Sequence, residues 1–258
     1  MKYIFKKLLQ AYLKFLTKII LLLHRPIIIA IAGSTNKTFV REKIVAILKE
    51  KNFSVRSNPK SFNTEIGLPL SILNLPSGYN SYKNWLPIII KAMAAIFDAN
   101  FPKIMVLELG IDRPGDMKFL SSMIKPKIVI LTDITQRYLE SFTDMNELVE
   151  EYKYLITRVK ANGLVILNYD NLRMRKIADK SSAKVFFFSL NKNNPTLGDF
   201  WSASDIITNK NGQQIKITHD STEEIYKINR FGLHHVYALL IGLIVKNNLE
   251  KISTKYVQ

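Results

Sequence analysis

The chain has 258 residues, of which 47% are hydrophobic and 22% are charged, a composition typical of a folded globular protein rather than a disordered one. It contains no cysteine, which excludes disulfide bonds and metal sites built on thiolates. Because its net charge is +16, the chain attracts anions, and nucleotides, nucleic acids and anionic lipids are all partners of the matching sign.

The first 26 residues form a basic segment that contains no acidic residue. Its apolar residues recur at helical spacing, which predicts a basic amphipathic helix over residues 1–26. Its longest apolar run, Ile19 to Leu23, is far shorter than the ~20 residues that cross a bilayer. Two interpretations stay open: the helix lies on an anionic membrane surface, or it packs on the domain with its lysines in water. The basic positions are Lys2, Lys6, Lys7, Lys14, Lys18 and Arg25.

An apolar strand, predicted from Ile27 to Ala32, runs directly into a short polar loop. Such a turn can hold phosphate, because backbone N–H groups at the start of the next helix, predicted from Thr38 to Lys51, point at an anion. A lysine adds a full charge and a threonine hydroxyl can bind Mg²⁺. The spacing G-x-x-x-K-T is shorter than the full phosphate-loop pattern, so it leaves a phosphate loop and an ordinary turn equally open. The loop residues are Gly33, Ser34, Thr35, Asn36, Lys37 and Thr38.

The rest of the chain alternates strands and helices as in an α/β fold with a doubly wound, mostly parallel sheet and flanking helices. The predicted strands are Phe53–Arg56, Lys103–Leu109, Lys127–Thr132, Leu164–Leu167 and Val185–Phe188. The predicted helices are Tyr82–Phe97, Asn146–Lys160, Leu172–Asp179 and Leu233–Asn248. Asn211-Gly212 predicts a hairpin between Asp205–Asn209 and Gln213–Thr218, and the proline- and glycine-rich stretch from Ser57 to Tyr82 predicts a long functional loop.

Polar side chains follow the predicted strands at one edge of this sheet. Because ligands of such sheets bind beyond the carboxyl ends of the strands, the loops after Ala32, Leu107 and Thr132 are expected to face one crevice. Glu108 ends an otherwise apolar strand, where its carboxylate could share Mg²⁺ with Thr38 or form an ordinary salt bridge.

Other chemistries have little support in the sequence. The four histidines show no metal-ligand spacing, and no serine or threonine lies in a recognisable nucleophile elbow, so a covalent hydrolase is not indicated. Tyr79, Tyr82 and Lys83 come nearest to the interleaved aromatic and basic residues of a nucleic-acid site, and no nucleic-acid partner is predicted.

Seven segments, taken in order, together resemble the central ATPase domain of the Mur ligases, most closely the branch that adds D-alanyl-D-alanine. The resemblance covers residues 27–248, and the ordered set indicates the family although any single segment could be chance. The segments are I-A-G-S-T-N-K-T (31–38), S-F-N-T-E-I-G-L-P-L (61–70), V-L-E-L-G-I-D-R-P-G-D (106–116), K-P-K-I-V-I-L-T-D-I (125–134), Y-L-E-S-F (138–142), G-L-V-I-L-N-Y-D (163–170) and G-L-H-H-V-Y-A (232–238).

The resemblance implies a P-loop-type ATP-binding domain over residues 27–258 that forms amide bonds in cytoplasmic cell-wall precursor synthesis. A carboxylate of a UDP-sugar-peptide takes the γ-phosphoryl group of ATP, and an amine attacks the resulting acyl phosphate. The resemblance also implies that residues 33–38 hold the nucleotide phosphates, with Lys37 and Glu108 acting in catalysis. Thr38 and Glu108 would hold Mg²⁺, while Asn63 and Glu65 would line the loop that faces the γ-phosphate.

The chain departs from the family pattern at five positions. Lys153 lies one place after the carbamylated lysine of the family and is the candidate catalytic lysine, although one residue turns a helical side chain by ~100°. His235 is the candidate contact to adenine. The departures are Asn36 for glycine, Tyr138 for a histidine that binds a second metal, Tyr152 for the carbamylated lysine, and His235 and Ala238 for two asparagines near adenine.

The two domains that flank the central domain in the family have no counterpart in these 258 residues. Two functional hypotheses remain from different classes. The first is an ATP-dependent ligase, as a fragment or with a partner chain that supplies the missing domains. The second is a non-catalytic nucleotide-binding or scaffold relative, held at the inner face of the membrane by its amino-terminal helix.

Overall fold

The computed structural model describes residues 3–59, 61–79, 81–191, 199–220 and 222–253, without the side chains of residues 138 and 250–253. The helices are α1 (Tyr3–His24), α2 (Lys37–Glu50), α3 (Gly67–Ile72), α4 (Tyr82–Ala94), α5 (Asp116–Ser121), α6 (Met145–Thr157), α7 (Leu172–Ile177) and α8 (Leu233–Ser253). The strands are β1 (Ile27–Ala32), β2 (Val55–Ser57), β3 (Ile104–Glu108), β4 (Ile128–Leu131), β5 (Leu164–Asn168), β6 (Lys184–Ser189), β7 (Asp199–Asn209), β8 (Gly212–His219) and β9 (Thr222–Ile228).

The strands form one mixed sheet in the order β2-β3-β1-β4-β5-β6-β7-β8-β9. Strands β2 to β7 pair in parallel, and β8 and β9 add an antiparallel edge. β1 lies between β3 and β4, with Ala30 opposite both Leu107 and Val129. This arrangement confirms the predicted fold class and brings the ends of β1, β3 and β4 to the same edge.

The sheet is covered on both faces, which explains why its central strands are apolar without interruption. Successive residues of β1 point to opposite faces: Ile28 and Ala30 join one core cluster, while Ile29 and Ile31 join another. Helices α1 and α3 to α7 cover the first cluster, and helices α2 and α8 cover the second.

Helix α1 packs against the first cluster through Leu9, Leu13 and Leu16, which are all buried. The predicted amphipathic helix is therefore present, and its apolar face lies on the domain. Apolar side chains also occupy its opposite side, where Ile4 is 72% exposed. No helix within the described ranges combines the length and apolarity needed to cross a bilayer.

The structure corrects several predicted elements. The stretch predicted to be a loop between Ser57 and Tyr82 contains α3, and the sequence did not predict β9. Strand β7 begins at Asp199, six residues before the predicted hairpin strand. The hairpin itself is confirmed, with Asn209 opposite Gly212. The predicted helix Tyr82–Phe97 is α4 followed by a 3₁₀ turn at Ala95–Phe97.

Candidate nucleotide-binding site

The loop between β1 and α2 begins at a position that strongly favours glycine. Gly33 has φ 129°, and a Cβ at this position would lie 2.2 Å from Thr132 Oγ1 and 3.0 Å from the backbone nitrogen of Asp133. Asn36 has φ 61°, in the left-handed region that asparagine tolerates better than most residues. Asparagine at this position is therefore compatible with the tight entry into α2.

The loop is attached to the segment that follows β4. The Ser34 backbone N–H donates to Asp133 O (2.7 Å), and the Thr135 N–H donates to Ser34 Oγ (3.0 Å). Thr132 Oγ1 donates to Thr35 O at 2.5 Å. The buried hydroxyl of Ser34 therefore holds the loop in place by binding backbone groups of the neighbouring segment.

Lys37 opens α2 and folds back over the loop. Its Nζ donates to Gly33 O at 2.5 Å, and the residue is only 8% exposed. Burial lowers the pKa of Lys37 and the charge of Arg137 adds to this, while the Glu108 and Asp112 carboxylates oppose it. The amine therefore lies in a partly desolvated position beside the loop, where a charge acts more strongly than it would in water.

Glu108, at the end of β3, accepts hydrogen bonds from three side chains. Thr38 Oγ1 donates to Oε2 at 3.1 Å, and Arg41 Nη1 lies 3.4 Å from the same oxygen. Asn63 Nδ2 donates to Oε1 at 3.3 Å. The structure thus brings together four residues singled out from the sequence: Lys37, Thr38, Asn63 and Glu108.

Two residues that hold Glu108 were missed by the sequence analysis. Asn58 binds the backbone of Glu108 twice, by accepting its N–H at 2.8 Å and donating to its carbonyl at 2.9 Å. Arg41 also donates to Asn58 O at 2.8 Å. Because Arg41 follows Thr38 by three residues on a predicted helix, helical spacing alone could have put both on one face.

The oxygen atoms of Thr38 and Glu108 fit Mg²⁺, a hard cation that one or two protein oxygens commonly hold together with substrate phosphates. Among the described residues, no group of three or more histidine, aspartate or glutamate side chains could hold a metal ion. Two oxygen ligands suit a cation that arrives with a phosphate group.

Glu65 does not join Asn63 at Glu108 but contacts α1. Its Oε1 accepts from Gln10 Nε2 at 3.1 Å and lies 3.0 Å from Lys6 Nζ. Burial by itself raises the pKa of Glu65, but the hydrogen bond and charge of Lys6, with Arg113 nearby, outweigh burial and lower this pKa. The carboxylate links the loop before α3 to the amino-terminal helix.

His235 lies in a ring cluster where α8 begins. Its ring centroid is 4.3 Å from that of His234 and 5.1 Å from that of Phe39, which lies in the first turn of α2. Burial, together with the charges of His234 and Arg230, lowers the pKa of His235. This position is next to the start of α2, and a contact of His235 with adenine stays a prediction.

Helix α6 places Tyr152 and Lys153 in different surroundings. Tyr152 is buried in the core, whereas Lys153 Nζ pairs with Glu150 at 2.8 Å on the same helix. This is the outcome of the ~100° turn between neighbouring residues. A catalytic role of Lys153 stays a prediction, and the side chain of Tyr138 lies outside the described residues.

An open cleft of about 680 Å³ lies beside the loop. Asn171 Nδ2 donates to Asp133 Oδ1 at 2.5 Å, which joins the ends of β4 and β5. Tyr237 Oη donates to Asp170 Oδ2 at 3.2 Å, and burial together with this carboxylate raises the pKa of Tyr237. The lining residues are Asp133, Ile134, Thr135, Gln136, Arg137, Asn168, Asp170, Asn171, Arg173 and Tyr237.

Comparison with known proteins gives consistent results. The family profile described as Mur ligase middle domain matches residues 31–246. The UDP-N-acetylmuramoyl-tripeptide–D-alanyl-D-alanine ligase of Buchnera aphidicola subsp. Baizongia pistaciae is 28% identical over 211 residues, which are 81% of this chain and 39% of that relative. The enzyme of the same name from Escherichia coli is 24% identical over 193 residues, or 74% of this chain and 36% of the relative. The chain therefore spans less than half the length of these curated relatives.

Among solved structures, MurF ligase from Thermotoga maritima in complex with ADP has a TM-score of 0.75 at 21% identity, covering 93% of this chain and 49% of that one. This similarity shows that the two proteins share the fold. Because the family profile matches most of the described sheet and the whole loop region from residue 31 onward, the chain belongs to the Mur ligase family and contains its middle domain.

Proposed function

We propose that this chain binds ATP and Mg²⁺ and provides the nucleotide half of an amide-forming ligase reaction. The observation that carries the proposal is the contact between Thr38 Oγ1 and Glu108 Oε2 at 3.1 Å. Two oxygen ligands suited to Mg²⁺ thereby adjoin the amino end of α2, where Lys37 lies over the loop.

In the proposed reaction an oxygen of the substrate carboxylate forms a bond to the γ-phosphorus of ATP, and ADP leaves with the electrons of the broken P–O bond. An amine then attacks the carbonyl carbon of the acyl phosphate, loses a proton, and releases phosphate. Positioning and charge neutralisation supply most of the rate enhancement in such a transfer.

The site residues divide into those that hold the phosphates, those that hold Mg²⁺ and those that orient Glu108. The backbone N–H groups of the loop and the charge of Lys37 hold the β- and γ-phosphates. Thr38 and Glu108 hold Mg²⁺, which would neutralise the charge that develops on the phosphate oxygens. Asn63 and Arg41 orient the carboxylate of Glu108, because each contacts one of its two oxygens.

Isothermal titration of ATP in the presence of Mg²⁺ tests the proposal. We expect Lys37→Ala to weaken binding by about 10- to 100-fold, since a charge-assisted hydrogen bond contributes about 1.5–3 kcal/mol. Lys180→Ala, which removes the same charge at a surface pair with Asp179, is the matched control and should bind like the parent chain. Equal affinity of the Lys37 variant and the parent chain would show that the loop is an ordinary turn.

The substrate that accepts the phosphoryl group is proposed from the printed names of the relatives. We propose a UDP-linked sugar-peptide, and we propose that a partner chain or a further segment completes its binding site, because the match covers under half of each relative. ADP formation that requires both the UDP-sugar-peptide and D-alanyl-D-alanine supports a ligase. Tight ATP binding without turnover, in the presence of every candidate partner, supports the scaffold alternative.

We also propose a cytoplasmic location with α1 in contact with the inner face of the membrane. The support is the composition of the helix, which combines lysines with exposed apolar side chains and contains no carboxylate. Vesicles containing an anionic lipid should bind the chain, and Leu8→Glu with Phe15→Glu should reduce this binding.

A further inference from the structure

Helix α4 exposes a row of apolar side chains along its outer side. Leu86, Ile90 and Met93, followed by Phe97 in the 3₁₀ turn, recur every three or four residues and so share one side of the helix. They are 58–83% exposed. Trp85, Ile88 and Ala92 occupy the opposite side and are buried. The helix is therefore apolar on both sides, although only one of them contacts the core.

Helix α1 has a second row of the same kind. Ile4, Leu8, Phe15 and Leu22 follow helical spacing, and each is more than 60% exposed. The buried positions of α1 lie on the other side of the helix. The exposed row is as long as the helix itself.

The two helices lie side by side and run in the same direction. The rings of Phe5 and Tyr82 meet edge to face at 4.9 Å, and Tyr12 Oη donates to Ile89 O at 2.8 Å. His24 Nε2 lies 3.1 Å from Ile96 O. Because both helices pack on the same core cluster through their buried sides, both exposed rows point away from it, on neighbouring helices.

The charged side chains that the two helices themselves carry all have one sign. Neither Tyr3–His24 nor Tyr82–Phe97 contains an aspartate or glutamate. At ~100° per residue, Lys7 and Lys18 fall on the flank of α1 that is turned away from α4, while Lys83 and Lys91 fall on the outer flank of α4. All four are exposed. Lysine stems can lie along apolar surface while their ammonium groups reach outward to anions.

We propose that α1 and α4 form one lipid-binding face, which lies flat on an anionic bilayer with both helix axes in the membrane plane. The proposal rests on the membrane contact proposed for α1 and adds α4 as an equal part of the surface. Apolar rows enter the boundary between headgroups and acyl chains, and lysines on both outer flanks contact the phosphate groups of the lipids. A protein partner would need an apolar groove bordered by acidic residues on both sides. An anionic bilayer presents an apolar interior beneath negatively charged headgroups at every point of its surface.

Co-sedimentation of the full chain with phosphatidylcholine vesicles, with and without phosphatidylglycerol, tests the proposal. We expect binding to the anionic vesicles only. Leu86→Glu with Ile90→Glu should lower the partition coefficient by about tenfold or more, because two buried apolar side chains are lost and two like charges are gained. Ile207→Glu with Ile225→Glu, at exposed positions of β7 and β9, is the matched control and should bind like the parent chain. Circular dichroism verifies that each variant is folded.

The outcomes separate this inference from the proposal on which it rests. If the α4 variant binds like the parent chain while Leu8→Glu with Phe15→Glu does not bind, α1 alone contacts the membrane and the two-helix face is wrong. Failure of the parent chain to bind anionic vesicles overturns both proposals. Sedimentation velocity tests another occupant of the face: a dimer that the α4 variant dissociates, without vesicle binding, would identify the face as a contact between two copies of the chain.

Discussion

Gly33 determines how closely the loop after β1 approaches the segment after β4. A side chain at this position would collide with Thr132 Oγ1, and φ 129° is outside the range that other residues adopt readily. Any substitution at Gly33 therefore destabilises the folded chain in two ways, through a steric clash and through backbone strain.

We expect Gly33→Ala to lower the free energy of unfolding by about 3 kcal/mol, because overpacking and backbone strain combine. Urea denaturation followed by circular dichroism measures the loss. Gly115→Ala separates the two costs, since Gly115 has φ 88° but no atom within 4 Å of an added Cβ. It should cost about 1 kcal/mol, from backbone strain alone. Equal losses of unfolding free energy in the two variants would mean that Thr132 moves away from the added methyl group with little loss of stability.

At the residue scale, the sequence predicted the proximity of Thr38 and Glu108 because Thr38 follows one apolar strand, Glu108 ends another, and the two strands run in parallel. It could not predict that Glu65 turns to Lys6, since that contact depends on where α1 packs. Asn58 and Arg41 carry no phosphate-binding motif of their own. Helical spacing puts Arg41 on the face of Thr38, but only the folded chain shows that Arg41 and Asn58 both contact Glu108.

At the scale of elements, Glu65 connects two parts of the molecule that are far apart in the sequence. Its loop also carries Asn63, which binds Glu108, while its own carboxylate binds Lys6 and Gln10 on α1. The position of α1 and the geometry of the candidate site are therefore linked through one short loop.

The lowered pKa of Glu65 predicts a dependence of stability on pH. Because the folded state favours the ionised carboxylate, this contribution is present above the ordinary pKa of 4.5 and is lost as pH falls through the lower folded value. Urea midpoints of the parent chain and Glu65→Gln should therefore differ at neutral pH and converge as the pH falls below 4.5 and the folded carboxylate becomes protonated.

A control variant makes this comparison specific. Glu150→Gln also removes a carboxylate that pairs with a lysine, but on the exposed surface of α6. Exposed pairs contribute about 0–1 kcal/mol, so its midpoint should stay near that of the parent chain across the same range. A Glu65 variant that behaves like the Glu150 variant at every pH would contradict the proposed link to α1.

Elements with strong local patterns were predictable, and those that depend on their neighbours were not. The uninterrupted apolar runs of β1, β3 and β4 require burial on both faces, which identifies central parallel strands. Helix α3 has only six residues and includes a proline, so its helical pattern is too short to detect. Strand β9 is largely exposed at the edge of the sheet and has no apolar alternation along its length.

At the scale of the whole molecule, one sheet separates two hydrophobic cores, and each contains one of the two tryptophans. Trp85 belongs to the cluster under α1 and α4, and Trp201 belongs to the cluster under α2 and α8. Because the central strands contribute alternate residues to both clusters, neither core can be lost while the sheet remains intact.

We therefore expect the two cores to unfold in a single transition. The variants Trp85→Phe and Trp201→Phe each leave one tryptophan, and its fluorescence reports on one face of the sheet. Urea curves from the two variants should coincide with each other and with circular dichroism once the stability change of each substitution has been subtracted. Two separated transitions would show that the faces unfold independently.

The central position of β1 has a consequence for the synthesis of the chain on the ribosome. Its partner strands β3 and β4 begin at Ile104 and Ile128, roughly 70 and 95 residues after β1 ends. At about 5–20 residues per second, the nascent apolar strand waits several seconds for its first neighbour to emerge. During that interval we expect Ile27–Ala32 to be accessible to chaperones, and slower translation before β3 should lengthen this exposure.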